Sequence, residues 1–545
     1  MAGHGTIDAF ALNGHVAGAA ALGNAGNAVG TLDAFTTEGG LALVTTGPLT
    51  IGGAVQAGAG KVLSLTSDGL TVAMAGALGF AGGPANDRIN LITDAVSLLG
   101  TVGATTAGSV AIAPRTAATL SVGGGGLSLG TPDLANIETG TLVLGSVDGG
   151  VTRVGTLGLK TPFALPGGGT LALFADAITQ EGAVTGVGLL TGAAGSATLA
   201  ASGNSIAKLG AFTAATGFSL ADGGPLEVTG AVAAGPALAL SAAGNMTLDA
   251  GASLSAATVS LATTAGGNIL GSGSVIAGTL SGNVAGSASL GNLAAADTIG
   301  KVDAFTTGGS FALVDGTPLT VGTLTVSGAA TLRIVDAALG NGLILQGTVS
   351  TESLAVTTDG AISQTGGTLT ETGSGTLTLQ AAGDITLGGA VNASGSHVVL
   401  MSPGTISQGG GSLMAASLDG GGQTAARVTL DGAGNAIARL GAFTGANGFI
   451  LTNGTGLEIT GPVATGPALA LTAAGNLQLD PAASLSATTV SLTTSAGGNV
   501  SGVGAGMGSG SIAAAVLTGN VAGAVTLNSR ADAVATLRTS RLAAA

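Results

Sequence analysis

The sequence predicts an all-β chain, a parallel β-helix (β-solenoid) of about 21 residues per coil with almost no helix. Three observations predict it. A phrase built on Ala-Phe-Thr returns with its flanks intact, as Leu32-Asp33-Ala34-Phe35-Thr36-Thr37, Leu209-Gly210-Ala211-Phe212-Thr213, Val302-Asp303-Ala304-Phe305-Thr306-Thr307 and Leu440-Gly441-Ala442-Phe443-Thr444. A longer match pairs the stretch from Gly235-Pro236 to Leu261 with that from Gly466-Pro467 to Leu492, and the interval from Leu238 to Val259, repeated from Leu469 to Val490, sets the coil period. Between these markers apolar residues alternate in short runs, Leu238/Leu240, Met246/Leu248 and Val259/Leu261, separated by Gly-Asn, Asp-Ala-Gly or Gly-Gly.

Each element follows from these patterns. Alternation over four or five residues marks a strand with one buried face, and the Gly/Asn/Asp clusters mark turns. No segment keeps the i, i+3, i+4, i+7 spacing and capping residues of a helix. Three short strands per coil, paired in parallel with the next coil, put Leu, Val, Ile and Ala inside and Thr, Ser and Ala outside. Gly serves the corners, where positive φ is cheap only without a Cβ, and a corner Asn tolerates the same region and stacks on its counterpart. At this period the chain makes roughly 26 coils, and at a strand spacing of ~4.8 Å they form a rod on the order of 125 Å long. Phe35, Phe212, Phe305 and Phe443 recur at one repeat position and are expected in the interior as a packing ladder or corner plug, with a carbohydrate-stacking platform as the alternative.

Composition narrows the class. The chain has 545 residues, 102 of them Gly, no Cys, Trp or Tyr, and only 7% charged residues, with an ordinary apolar share of 46%. Disorder needs low hydrophobicity and high charge, and a collagen register is broken by runs such as Leu142-Val143-Leu144. The charge of −14, from 27 acidic and 13 basic residues thinly spread, argues against nucleic acid and anionic lipid as partners. Without Cys there is no disulfide framework or thiolate site. No apolar run is long enough for a membrane-spanning helix.

Four regions are expected: coils with the first Ala-Phe-Thr repeat over 1–55, a variant repeat style over 56–180 in the same continuous solenoid, the Gly-Ala-Phe-Thr superrepeats over 181–529, and an atypical tail over 530–545. Asn13-Gly14-His15-Val16-Ala17-Gly18 already matches Ser281-Gly282-Asn283-Val284-Ala285-Gly286, while Asp532 to Leu537 sets up a further Gly-Ala-Phe-Thr that Arg538-Thr539-Ser540-Arg541 replaces. These ends, and an amino terminus without the basic segment and apolar core of a secretory signal, lead to the expectation of a piece of a longer protein, with a natural cap for the last coil as the competing explanation.

Pro132-Asp133-Leu134-Ala135-Asn136-Ile137-Glu138-Thr139-Gly140-Thr141-Leu142-Val143-Leu144-Gly145 resembles the repeats of large proteobacterial exoproteins of the filamentous haemagglutinin type, which are secreted by two-partner systems. The Gly-Ala-Phe-Thr repeats look like the β-strand repeats of the same broad group. The resemblance covers nearly the whole chain, and its motifs are structural. It implies a right-handed parallel β-helix used as a non-enzymatic surface stalk or adhesin in cell adhesion or biofilm, located outside the cell, with an outer-membrane transporter and cell-surface or matrix ligands such as glycans as partners.

Chemistry-bearing residues are few. His4, His15 and His397 lie in no catalytic or metal motif, and His15 stands where sister repeats carry Asn283 and Asn520, as a turn residue would. Asp148, Asp222, Asp315, Asp359, Asp419 and Asp431 each precede Gly, which is turn chemistry. Asp87, Arg88, Asp133 and Glu138 form the densest charged neighbourhood, and Gly123-Gly124-Gly125-Gly126 lacks the Lys-Ser/Thr and the helix of a phosphate loop. No catalytic, cofactor or metal residues are assigned. The alternatives are a polysaccharide-active β-helix enzyme and a self-assembling surface-layer or matrix protein joined through coil ends.

Overall fold

The computed structural model describes residues 5–82, 86–294, 296–335, 342–502 and 510–542. The chain divides into two compact units, residues 1–273 and 274–545. The fold is a parallel β-solenoid of about 24 turns, roughly 21 residues apart, with 62% of residues in strands and almost no helix.

The coil period is the pairing register itself. In the first unit, one turn runs through strands Ala237–Ala242 and Met246–Leu248 and into Ser253–Thr263. Leu238 lies beside Val259 and Leu240 beside Leu261 on the next coil, while Phe218 and Leu220 flank them on the coil before. All six are at most 2% exposed. The second unit repeats the device with Phe449, Leu469 and Val490 in one row and Leu451, Leu471 and Leu492 in another. Each fully buried Leu, Val or Phe contributes about 1.5–3 kcal/mol, and it does so only while both neighbouring coils are present.

One corner is built identically in the two units. Ala265 and Gly266 have φ of 51° and 75°, and Ala496 and Gly497 have 49° and 76°. The Oγ1 groups of Thr263 and Thr494 donate to the carbonyls of Gly267 and Gly498 across these turns. Beside them the asparagines stack as expected: the Asn268 N–H donates to Asn245 Oδ1 at 2.9 Å, and the Asn499 N–H to Asn476 Oδ1 at 2.8 Å. The left-handed positions of this corner belong to Ala and Gly, however, not to Asn. The asparagines are needed for their side-chain acceptors.

The marker phenylalanines are internal, being 0–4% exposed, so they offer no stacking surface for carbohydrate. Nor do they form a ladder. Three of them pair within their own repeat with a second Phe shortly after, Phe212 with Phe218, Phe305 with Phe311 and Phe443 with Phe449, at centroid distances of 4.5, 5.1 and 5.3 Å. On the preceding coil a glycine stands opposite the ring: Gly14 is in register with Phe35, Gly192 with Phe212 and Gly282 with Phe305, each beside a register shift. A Cβ on Gly192 would come within 2.9 Å of the Phe212 ring, and one on Gly420 within 3.0 Å of Phe443.

Residues 56–180 keep parallel pairing but not the regular step. The inward row Leu63, Ile89, Val110, Leu142 and Leu171 advances unevenly, and its longest step runs from Val110 to Leu142. That step holds the one short α-helix of the described residues, Thr131–Ala135, within the segment that carries the sequence resemblance. Pro132 near its start and the Asp133 carboxylate, which accepts the Gly130 N–H at 2.7 Å, favour this turn of helix. Residues Ala533–Leu542 form a strand parallel to Ser511–Val521.

Two outcomes follow from the packing. Phe305→Ala is expected to cost about 3–5 kcal/mol through the cavity it leaves, read as a lower urea midpoint by far-UV circular dichroism. Ala265→Gly relieves a left-handed alanine and is expected to raise stability by up to about 1 kcal/mol, measured in the same melts.

Candidate functional site

Two polar systems recur with the repeats, one inside the coils and one outside. The inner system stands at fixed offsets from each marker Phe. At one offset before it come Asn27, Asn204, Asp297 and Asn435, and at one offset after it come Thr45, Asp222, Asp315 and Asn453. All eight are at most 5% exposed. The first set accepts a backbone N–H from the previous coil: Ile7 to Asn27 at 2.9 Å, Val184 to Asn204 at 2.9 Å, Val275 to Asp297 at 2.7 Å and Leu413 to Asn435 at 2.8 Å. The second set accepts the N–H of a residue earlier in its own repeat, Val29, Ile206, Ile299 or Ile437, at 2.7–3.0 Å. Each side chain thus supplies the acceptor that the strand ladder cannot provide at that corner, where an unpaired buried N–H would cost about 1–3 kcal/mol.

These residues correct the expectation that Asp222 and Asp315 are turn groups. They end strands Phe218–Asp222 and Phe311–Asp315 with their carboxyls turned inward. Burial pushes the Asp222 carboxyl up, against the N–H groups of Ile206 and Gly224 that favour its charge.

The outer system is a row on neighbouring coils of the second unit: Thr376, His397, Ser417, Arg439, Glu458 and Gln478. Arg439 Nε meets Glu458 Oε2 at 2.9 Å, and the matching positions in the first unit hold Lys208 and Glu227 at 2.8 Å. The hydrogen bond to Lys208 holds Glu227 below the usual carboxylate range, and Lys208 is raised in turn. In the copy with Asp303 in place of Gly210 or Gly441, the counter-ion of the cation, Lys301, stands on its own strand.

His397 is held on both ring nitrogens, with Ser417 Oγ 2.6 Å from Nδ1 and Asp419 Oδ2 2.8 Å from Nε2. These are the residue types of an acyl-transfer triad. The geometry around them is that of a surface ladder: the nearby N–H groups of Gly420 and Gly421 go to Ala442 O and Asp419 Oδ1, so neither serves as an oxyanion donor to a group at Ser417. Sequence reasoning missed this cluster because its members belong to successive coils and meet only through the coil register.

The remaining candidates are dispersed. His4 lies outside the described residues. His15 is on strand Asp8–Val16, not in a turn, and its Nδ1 contacts Thr36 Oγ1 at 2.9 Å. Asp419 ends strand Leu413–Asp419, again contrary to a simple turn role. Asp148 does sit in a loop, where the Thr152 N–H and the Ser146 hydroxyl hold its carboxyl down at about 2; Asp359 and Asp431 also lie between strands.

Of the charged neighbourhood, Asp87 and Glu138 line one surface depression with Gln56 and Thr101. Asp87 Oδ1 accepts the Gly60 N–H at 2.7 Å. Arg88 is exposed, and Asp133 is taken up in accepting the Leu98 and Gly130 N–H groups. The four glycines at 123–126 form a turn closed by the Ser121 hydroxyl on Gly125 O. Among the described residues no three acidic or His side chains gather as metal ligands, and no helix is long and apolar enough to cross a membrane.

No family model, curated protein or solved structure matches the chain.

The two polar systems differ in weight. Asn435→Ala leaves the Leu413 N–H without its acceptor and is expected to cost about 1–3 kcal/mol, whereas Arg439→Ala breaks only an exposed pair and is expected to change stability by less than about 1 kcal/mol. Urea melts of both variants check the contrast.

Proposed function

We propose that this chain is a non-enzymatic structural segment of a bacterial surface protein, a stalk or adhesin of the filamentous haemagglutinin type that acts outside the cell in adhesion or biofilm. The observation that carries this reading is that coil-on-coil pairing absorbs sequences as unlike as 56–180 and the Gly-Ala-Phe-Thr repeats while the inward rows continue. Such an architecture tolerates gain and loss of coils, because each interacts with its neighbours alone. The prominent ionisable groups of its outer row neutralise one another in pairs, and Asn, Asp and Thr are committed to holding the corners. Export through an outer-membrane transporter and contact with glycans or matrix polymers belong to the same proposal.

The test is display of the chain, fused to an outer-membrane anchor, on a bacterium that neither adheres nor forms biofilm. Attachment to epithelial monolayers or retained biofilm mass is expected to rise several-fold over the anchor alone. Levels equal to the anchor alone in both assays overturn the adhesive role.

A further inference from the structure

Asp297 and Asp315 are the one place where both inner positions of a repeat hold acids. The sister repeats hold Asn27 with Thr45, Asn204 with Asp222, and Asn435 with Asn453. Asp297 and Asp315 are bridged in parallel through their backbones, and both are 0% exposed. Each commits Oδ1 to a backbone N–H, of Val275 and of Ile299.

What the second oxygen of Asp297 meets is decisive. In the three asparagines this place is taken by Nδ2, which donates to a carbonyl on the following coil: Val44 at 3.0 Å, Ala221 at 2.9 Å and Thr452 at 3.1 Å. The corresponding carbonyl for Asp297 is that of Val314, which here already accepts the Asp297 N–H at 2.9 Å, whereas the N–H groups of Asn27, Asn204 and Asn435 go to Asn24, Ala201 and Gly432; it borders the same space, since a Cβ on Gly291 would collide with Val314 O and lie 3.2 Å from Asp297 Oδ2. Oδ2 has no donor. A buried oxygen in the position of an amide donor needs a proton of its own.

We propose that Asp297 and Asp315 form a proton-holding pair that makes the surrounding coils of the second unit firm in acid and loose above neutral pH. With its proton, Asp297 is neutral and has a donor in the place where the sister asparagines carry Nδ2. Without it, a carboxylate sits unpaired in the core beside a second acid. Among the described residues no cation is turned toward them: Lys301 and Asp303 on the strand Thr298–Thr307 pair with each other, Arg333 on Ala329–Ile334 is exposed, and the strands Ser274–Val284, Ala288–Leu290 and Leu319–Val321 carry no charge.

The direction of titration agrees. Burial pushes Asp297 up to about 7 against the Val275 N–H, with repulsion from Asp315 adding to the rise, and burial pushes Asp315 up to about 7 against the donors around it. Both values exceed the ordinary 3.8, so the folded chain binds the protons more tightly than the unfolded one. The added stability is complete below about pH 4 and is lost as pH rises through about 7.

The experiment is amide hydrogen exchange at Val275 and Ile299 in the full chain, corrected for intrinsic rates, between pH 5 and pH 8.5. Protection is expected to fall at least tenfold over that range in the wild type, to fall less in D297N, where Asp315 still titrates, and to stay level in D297N/D315N, with D297N melting higher than wild type at pH 8. An equal fall in the double variant, or a lower melting temperature of D297N at pH 8, overturns the proposal. A readout on the wild type needs no variant: infrared difference spectra from pH 5 to pH 8.5 must show the loss of a buried protonated carboxyl band, and its absence overturns the proposal as well.

Discussion

The hydrogen-bond ladder between parallel strands of successive coils is the constraint on which everything else rests. Apart from Thr119–Val122 beside Leu127–Leu129, the strands of such a stack take their partners from the coil before and the coil after, which satisfy their N–H and C=O groups. The register this imposes places residues of equal rank on top of one another. Leucine then lies on leucine inside, asparagine on asparagine at a corner such as Asn245 and Asn268, and an outer residue beside its counterpart on the next coil.

Where the ladder fails, side chains replace it. The corners before the Ala-Phe-Thr strands leave backbone N–H groups pointing into the core, and an inward Asn, Asp or Thr meets each one. Any of the three serves as an acceptor, which is why the repeats interchange them. They are not equivalent in their other atom. An amide donates, a hydroxyl rotates to suit, and an ionised carboxylate can only accept. A substitution that is silent for the backbone therefore alters the electrostatics of the core.

The parts legible in the sequence were those set by period and volume. The match of Leu238 and Val259 with Leu469 and Val490 gave the register outright, and the marker phenylalanines could be placed inside because a large apolar residue at a fixed repeat position has few other uses. The inner polar residues were hidden by their surroundings: Asp222 and Asp315 precede Gly, and that dipeptide reads as a turn. The signal was present in their constant distance from the marker Phe. In 56–180 the uneven coil lengths and the helix at Thr131–Ala135 were obscured because insertions at corners leave the alternation within each strand untouched. The contact of His397 with Ser417 and Asp419 needed the register of one irregular strand pair, with a shift between Ala393 and His397.

Gly192, opposite the ring of Phe212, ties two coils into one heritable unit. Gly192 and Phe212 lie a full coil apart along the chain, yet neither tolerates a stranger in the other's place: a side chain beneath the ring would clash, and a small residue above the glycine would leave a hole. Unequal recombination that cuts between them separates the ring from its hollow, while a break elsewhere in the array passes the pair on intact. The smallest module that can be copied or lost without repair is thus larger than a single turn, and its boundaries fall outside the glycine and the phenylalanine.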